Sequence, residues 1–146
     1  RVLVTHPALA ETLRAKVRQP FDLVVAGLRA LGVTGDQIAA LEPQMFRRTV
    51  WNHLGTMGQP WNQPKGPDGW PEEAEAWIAP QTMAARINWA LRMPRLLLGD
   101  LPDPRQMLAT TFGGTQSAQL AWAVPKAESA SEGVVLILAS SDFNRR

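Results

Sequence analysis

The chain of 146 residues contains no cysteine. It can therefore form neither a disulfide framework nor a thiolate metal site, although this absence leaves the cellular compartment open. It also lacks an apolar run near the roughly 18 to 20 residues that a membrane-spanning helix needs. The longest such run extends only from Val134 to Ala139. The sequence therefore predicts no membrane span.

The sequence also has few histidines and no large excess of charge of either sign. The only histidines are His6 and His53, and neither belongs to a His-x-x-His or Glu-x-x-His pattern, so we predict no metal site and no cofactor. Fifteen Lys and Arg face thirteen Asp and Glu, and the cations are dispersed, which argues against a nucleic-acid partner. No serine occupies a Gly-x-Ser-x-Gly elbow. Whether the protein is an enzyme stays open.

The first half of the chain has the spacing of amphipathic helices. Pro20 is placed to open a helix and Gly32 to end it. Its apolar face is predicted from the spacing of Phe21, Val24, Val25, Leu28 and Leu31. Thr34 and Gln37 then form a capping box, and the following apolar face continues to Met57. Pro43 predicts a kink in that run, or two helices that meet at Glu42.

The remaining segments also favour helices. They are predicted over Leu9 to Val17, Trp70 to Trp77, Pro80 to about Met93, Asp103 to about Phe112, Thr115 to Val124 and Ser129 to Ala139. Pro71 should begin the second of these and Pro94 end the third. The last could be a buried strand, but its Ser129 cap and the lack of a partner strand favour a helix. Asp142 to Arg146 is interpreted as a tail. We expect an all-α single domain over residues 1–146, a compact bundle of about six to eight short helices.

A proline- and tryptophan-rich stretch from Met57 to Pro80 separates two of these helices. It holds three of the six tryptophans and five of the twelve prolines. Because large aromatic surfaces need packing partners, we interpret it as a long ordered loop rather than a linker. Trp61, Trp70 and Trp77, with Trp89 beyond the loop, could form the floor of a groove. The alternative, which we favour, is that they pack the loop against its own helices.

Four carboxylates lie among these rings, at Asp68, Glu72, Glu73 and Glu75. Stacking tryptophans beside paired carboxylates are typical of sugar-processing sites, where the carboxylates act as general acid and base. The alternative, again favoured, is a turn aspartate followed by glutamates that complement a helix dipole. Arg86 is expected to donate to loop carbonyls or to the Asp68 carboxylate.

Four motifs of the loop and its neighbours carry a family resemblance: Met57-Gly-Gln-Pro-Trp61, Pro67-Asp-Gly-Trp-Pro71, Ala76-Trp-Ile-Ala-Pro80 and Ala85-Arg-Ile-Asn-Trp-Ala90. Together they resemble a bacterial family known as the domain of unknown function number eighteen hundred. The resemblance spans the whole chain and implies that the chain is the carboxyl-terminal third of a longer protein. The family implies no activity.

The resemblance also implies a setting. Family members are often encoded beside an exported protein family with a sulfatase-like fold, which suggests a protein partner and an envelope or exported location by association only. We therefore expect a helical structural or protein-interaction module. The alternative is a carbohydrate- or peptidoglycan-binding or processing protein with a glycan ligand. For either, the candidate binding residues are Gln59, Trp61, Asp68, Trp70, Glu72, Trp77 and Arg86.

Overall fold

The computed structural model describes residues 14–64 and 66–146, and the all-α prediction is confirmed within them. Most of the predicted helix from Leu9 to Val17 lies outside these residues, and Arg14 to Val17 is not helical. The α-helices are α1 (Pro20–Ala30), α2 (Gly35–Ala39), α3 (Pro43–Phe46), α4 (Asn52–Thr56), α5 (Pro80–Leu97), α6 (Pro104–Phe112), α7 (Ala118–Ala123), α8 (Ala130–Ala139) and α9 (Ser141–Asn144). A π-helical segment (Arg47–Trp51) and two 3₁₀ turns (Ala74–Ala76 and Val124–Lys126) complete the described helical structure.

Helix α1 begins at Pro20 and is closed by Gly32, as predicted. Gly32 has a φ of 78°, and the Val33 and Gly32 amides donate to Leu28 O and Arg29 O, which is the Schellman pattern. The predicted apolar face is only partly right, because Phe21 and Val25 are exposed. The buried face is instead formed by Pro20, Leu23, Val24, Gly27 and Leu28.

Two helices meet at Glu42, which is one of the two outcomes predicted for Pro43. The Thr34–Gln37 capping box opens α2, and Pro43 begins α3 after an extended Glu42. Helix α3 continues through the π-helical segment into α4. The Thr49 hydroxyl donates back to Met45 O over 2.8 Å within this stretch.

Two predictions between Trp70 and Pro94 are wrong. Pro71 does not begin a helix, because its carbonyl accepts from the Trp77 indole N–H over 2.9 Å and only a 3₁₀ turn follows. Pro94 does not end α5, which continues to Leu97. A proline so near the end of a helix deprives only the Ala90 carbonyl of its usual donor, and the Pro94 ring is buried.

Caps in the last third differ from prediction in detail. Helix α7 begins at Ala118, so its cap is Ser117, whose Oγ accepts from Leu120 N–H over 3.2 Å, whereas the Thr115 hydroxyl donates to Phe112 O. Ser129 caps α8 as expected. The predicted helical state of that apolar segment is confirmed, and no strand is assigned within the described residues.

The carboxyl terminus is not a tail. Ser140 caps α9, and the Phe143 ring is buried in the core. Beyond it, Val17 and Arg145 form an antiparallel bridge. This segment therefore closes the described fold by pairing with the stretch that leads into α1.

Helices α5 and α8 cross at the centre of the core, where Trp89, Met93, Val134 and Ile137 are all buried. Gly27 allows α1 to approach the Trp89 ring, because a Cβ at that position would collide with it. Of α5, only one stripe is buried, whereas Ile87 and Leu91 are exposed. Helix α5 therefore packs against the core along one side only.

Candidate functional site

Gln59 attaches the proline- and tryptophan-rich loop to the start of α1. Its side chain is buried, Oε1 accepts from Phe21 N–H over 2.7 Å, and Nε2 donates to Gln19 Oε1 over 3.0 Å. Gln19 is the N-cap residue of α1 but makes no capping bond with its own side chain. Gln59 therefore satisfies one of the orphan amides of that helix from a distant part of the chain.

A cleft of about 280 Å³ opens beside this junction. It is lined by Gln19, Phe21, Asp22, Leu54, Gln59, Pro60, Trp61, Asn62 and Trp70. Three of the predicted binding residues, Gln59, Trp61 and Trp70, thus come together at one cleft. Amide and carboxylate groups lie beside aromatic rings there, which is the usual composition of a small-molecule or peptide site.

Trp61 belongs to a row of aromatic rings on the surface. Its ring centroid lies 5.7 Å from that of Phe21 and 5.5 Å from that of Trp51, and Trp51 makes an edge contact with Phe46 at 6.4 Å. Phe21, Trp51 and Trp61 are 42%, 43% and 47% exposed. We call Phe21, Phe46, Trp51 and Trp61 the aromatic face. A second cleft, of about 410 Å³, adjoins Phe46 and Trp51.

The other two loop tryptophans are packed more deeply. Trp77 is buried, and its ring centroid lies 6.2 Å from that of the half-buried Trp70. The Thr82 hydroxyl donates to Trp77 O over 2.9 Å. This hydrogen bond and the Trp70–Trp77 contact together attach the end of the loop to the first turn of α5. The loop therefore divides into a structural half around Trp77 and a surface half around Trp61.

The predicted carboxylates do not reach the cleft. Asp68 and Glu72 are exposed and are not among its lining residues. Glu72 pairs with the Lys16 ammonium, and this hydrogen bond, with the charge of Lys16, lowers the pKa of the Glu72 carboxyl. A general acid needs a raised pKa. The described geometry therefore gives Asp68 and Glu72 no paired acid and base role beside the rings.

Arg86 makes different contacts from those expected. Its side chain is buried and donates to Asn144 Oδ1 over 3.1 Å and to Arg18 O over 2.8 Å, rather than to loop carbonyls or to Asp68. Asn144 in turn donates to Leu138 O and Ser140 O. Burial lowers the pKa of Arg86 to about 10, so it remains charged at neutral pH. Arg86 joins α5 to both ends of the described chain.

Sequence reasoning missed part of the cleft and most of the aromatic face. Phe21 was assigned to the buried side of α1, and Trp51 was not selected. A signal was available for Phe21, since helical positions 20, 23, 24, 27, 28 and 31 form a continuous stripe once Gly27 is counted as a packing position. For Trp51 there was no comparable signal, because its direction depends on the π-helical segment in which it lies.

Two findings bear on metals and membranes. Within residues 14–64 and 66–146, no three His, Cys, Asp or Glu side chains converge as a metal site would require. None of the helices in that part of the chain combines the length and hydropathy needed to cross a bilayer.

The fold and this surface define an all-α protein with an exposed aromatic face. A family model described as "Protein of unknown function (DUF1800)" matches residues 1–145. The chain therefore belongs to that family, and the resemblance seen in its loop motifs is confirmed. No curated protein and no solved structure matches the chain.

Proposed function

We propose that this chain is a helical protein-interaction module and that the aromatic face is its contact surface. The observation that supports this most directly is the mutual contact of Phe21, Trp51 and Trp61, each more than two fifths exposed. Contiguous exposed apolar surface is uncommon on a protein that has no partner. Tryptophan is also among the residues that contribute most to binding energy in protein interfaces.

The surroundings of the face fit this role. It runs between two clefts, of about 280 and 410 Å³, which can receive side chains of a partner. Gln59 holds the loop against α1, so Trp61 is presented on a firmly attached support. Because its position is fixed before binding, the ring loses little conformational freedom when a partner docks.

The partner implied by the family resemblance is the exported sulfatase-like protein encoded beside family members. We propose that the chain acts as one helical domain of a longer protein in that pairing. Binding of the two proteins can be measured by titration calorimetry for the wild type and for Trp61→Ala. If Trp61 is a binding hot spot, its truncation to alanine should raise the Kd by roughly 30-fold or more.

Trp122→Ala is the matched control. Trp122 is 65% exposed but lies on α7 and lines neither of the clefts beside the aromatic face. It should leave the Kd unchanged. Equal affinities for the wild type and Trp61→Ala would show that the face is not the interface.

A glycan ligand is the second candidate, favoured by one observation: Trp61 lines the same cleft as the amides of Gln19, Gln59 and Asn62. An exposed ring beside amide groups can stack on a sugar and bind its hydroxyls. Quenching of the tryptophan fluorescence, compared between the wild type and Trp61→Ala with and without peptidoglycan fragments, distinguishes the two candidates. Protection by a fragment, abolished in Trp61→Ala, would favour the glycan; protection by the protein partner alone would favour the interaction module.

A further inference from the structure

A separate cleft of about 430 Å³ lies where α1, α6 and α9 meet. Its apolar wall is formed by Ala26, Ala30 and the ring of Phe143. Arg18, Arg29, Thr110 and Thr111 also line it. Two guanidinium-bearing and two hydroxyl-bearing side chains therefore share one concave surface, which has no lining residue in common with the two clefts beside the aromatic face.

The charges around this cleft are unbalanced. Of four neighbouring arginines, Arg14 pairs with Asp142 at 3.7 Å and Arg146 pairs with Asp22 at 2.7 Å. Arg18 and Arg29 form no ion pair with any carboxylate in the described part of the chain. Burial, and the nearby charges of Arg146 and Arg14, lower the pKa of Arg18, while Asp22 acts in the opposite direction.

Arg18 is held with its terminal nitrogens available. Its Nε donates to Phe143 O over 2.8 Å, and its guanidinium carbon lies 5.5 Å from the centre of the Phe143 ring. These contacts fix the guanidinium plane, and neither terminal NH₂ group donates to a described residue. A fixed guanidinium with two free NH₂ groups is well suited to an oxyanion.

Thr111 supplies a further polar group without a partner. Its Oγ1 is buried and makes no hydrogen bond within residues 14–64 and 66–146. The neighbouring Thr110 hydroxyl, by contrast, donates to Gln106 O over 3.0 Å. A buried hydroxyl that lacks a partner is costly, and rotation of the Thr111 side chain toward the cleft would let it donate to an oxygen of a bound anion.

We propose that this cleft binds a phosphate-type oxyanion, either free or as a monoester of a larger molecule. Arg18 and Arg29 supply the positive charge, and the Thr111 hydroxyl, once its side chain rotates toward the cleft, donates to one anionic oxygen. Ala26, Ala30 and the Phe143 ring limit the space on the apolar side of the cleft, and Arg29 is exposed at its surface. The proposal does not depend on the aromatic face or on any protein partner.

The test is calorimetric titration of the whole protein with inorganic phosphate, at an ionic strength held constant with sodium chloride. The wild type should bind one phosphate, and Arg29→Gln should weaken binding about tenfold or more, because one charged contact is lost. Arg92→Gln is the matched control, since Arg92 is exposed on α5 and does not line the cleft. It should bind phosphate as the wild type does.

Thr111→Val provides a second variant of nearly unchanged shape. Without phosphate it should unfold at the same temperature as the wild type or higher, because an unsatisfied hydroxyl is removed. Its affinity for phosphate should nevertheless fall several-fold. Glycerol 3-phosphate in place of phosphate then identifies the source of the anion: tighter binding indicates a monoester, and equal or weaker binding indicates free phosphate.

Absence of saturable phosphate binding would overturn the proposal. So would equal affinities for the wild type, Arg29→Gln and Arg92→Gln, because net charge rather than this cleft would then determine binding. These outcomes are independent of the measurements on Trp61, so the failure of one proposal leaves the other standing.

Discussion

Trp89 and Trp61 lie in two regions that use the same side chain for different purposes. Trp89 belongs to α5 and packs against Gly27 of α1. It is 1% exposed, and its indole N–H donates to Thr49 O over 3.3 Å. Trp61 is 47% exposed, and its contacts include Phe21 and Trp51, which are themselves exposed. Burial on all sides makes the first ring part of the core. The second keeps much of its apolar surface available to another molecule.

The comparison predicts a large difference between two alanine substitutions. Trp89→Ala should lower the free energy of unfolding by about 3 to 5 kcal/mol, because it removes a fully buried ring and leaves a cavity. Trp61→Ala should lower it by only about 1 kcal/mol, since half of the ring is already in water. Urea denaturation followed by circular dichroism measures both. Similar losses for the two variants would mean that Trp61 is a core residue and would remove the basis for the aromatic face.

Local rules were sufficient to predict much of the Trp89 region. The Thr34 capping box, the Gly32 end of α1 and the Asp103 start of α6 each depend on a few neighbouring residues, and each is observed. The helical state of the apolar segment after Ser129 was predicted for the same reason. Such features are determined by backbone hydrogen bonding within one or two turns.

The Trp61 region could not be predicted in the same way, because its geometry depends on contacts between distant residues. Gln59 reaches Phe21 across 38 positions, and it also donates to Gln19. The Pro71 carbonyl accepts from an indole instead of opening a helix. The sequence therefore indicated which loop residues would be ordered, but not which of them would share a cleft.

Gly27 of α1 lies against the Trp89 ring and provides a second test of how tightly that ring is packed. Gly27→Ala would place a methyl group against the Trp89 ring, and the core would have to shift at a cost of about 1 to 3 kcal/mol. Gly55→Ala is the matched control. Gly55 is also helical, and a Cβ there would have no heavy atom beyond its local backbone within 4 Å. The control should be neutral or stabilise the protein by up to about 1 kcal/mol. Thermal unfolding of both variants checks this, and equal shifts would contradict the close packing of α1 on Trp89.

Gln59 tests how firmly the surface half of the loop is attached. Gln59→Ala leaves the Phe21 amide without its side-chain acceptor and Gln19 without its donor. The expected loss is about 1 to 2 kcal/mol, with faster amide hydrogen exchange at the start of α1 and in the loop. Exchange around Trp89 should change only through the global loss of stability. If exchange in the loop is unchanged, Gln59 is not the residue that holds Trp61 in position.

Substitution of His53 has the smallest expected effect, and it tests how far this half-buried side chain is shielded from water. It is half-buried on α4, next to the buried Leu54, and burial lowers its pKa below the usual 6.5, with a smaller contribution from the Arg92 charge. The unfolded chain therefore binds more protons at His53 than the folded chain does, in the interval from the lowered pKa up to 6.5. The stability contributed by this group is present above that interval and is lost as the pH falls through it. His53→Gln should make the pH dependence of the unfolding temperature shallower just below pH 6.5 and leave it unchanged near pH 8. An identical dependence in the variant would mean that His53 is as solvated in the folded chain as in the unfolded chain, and that α4 does not bury it.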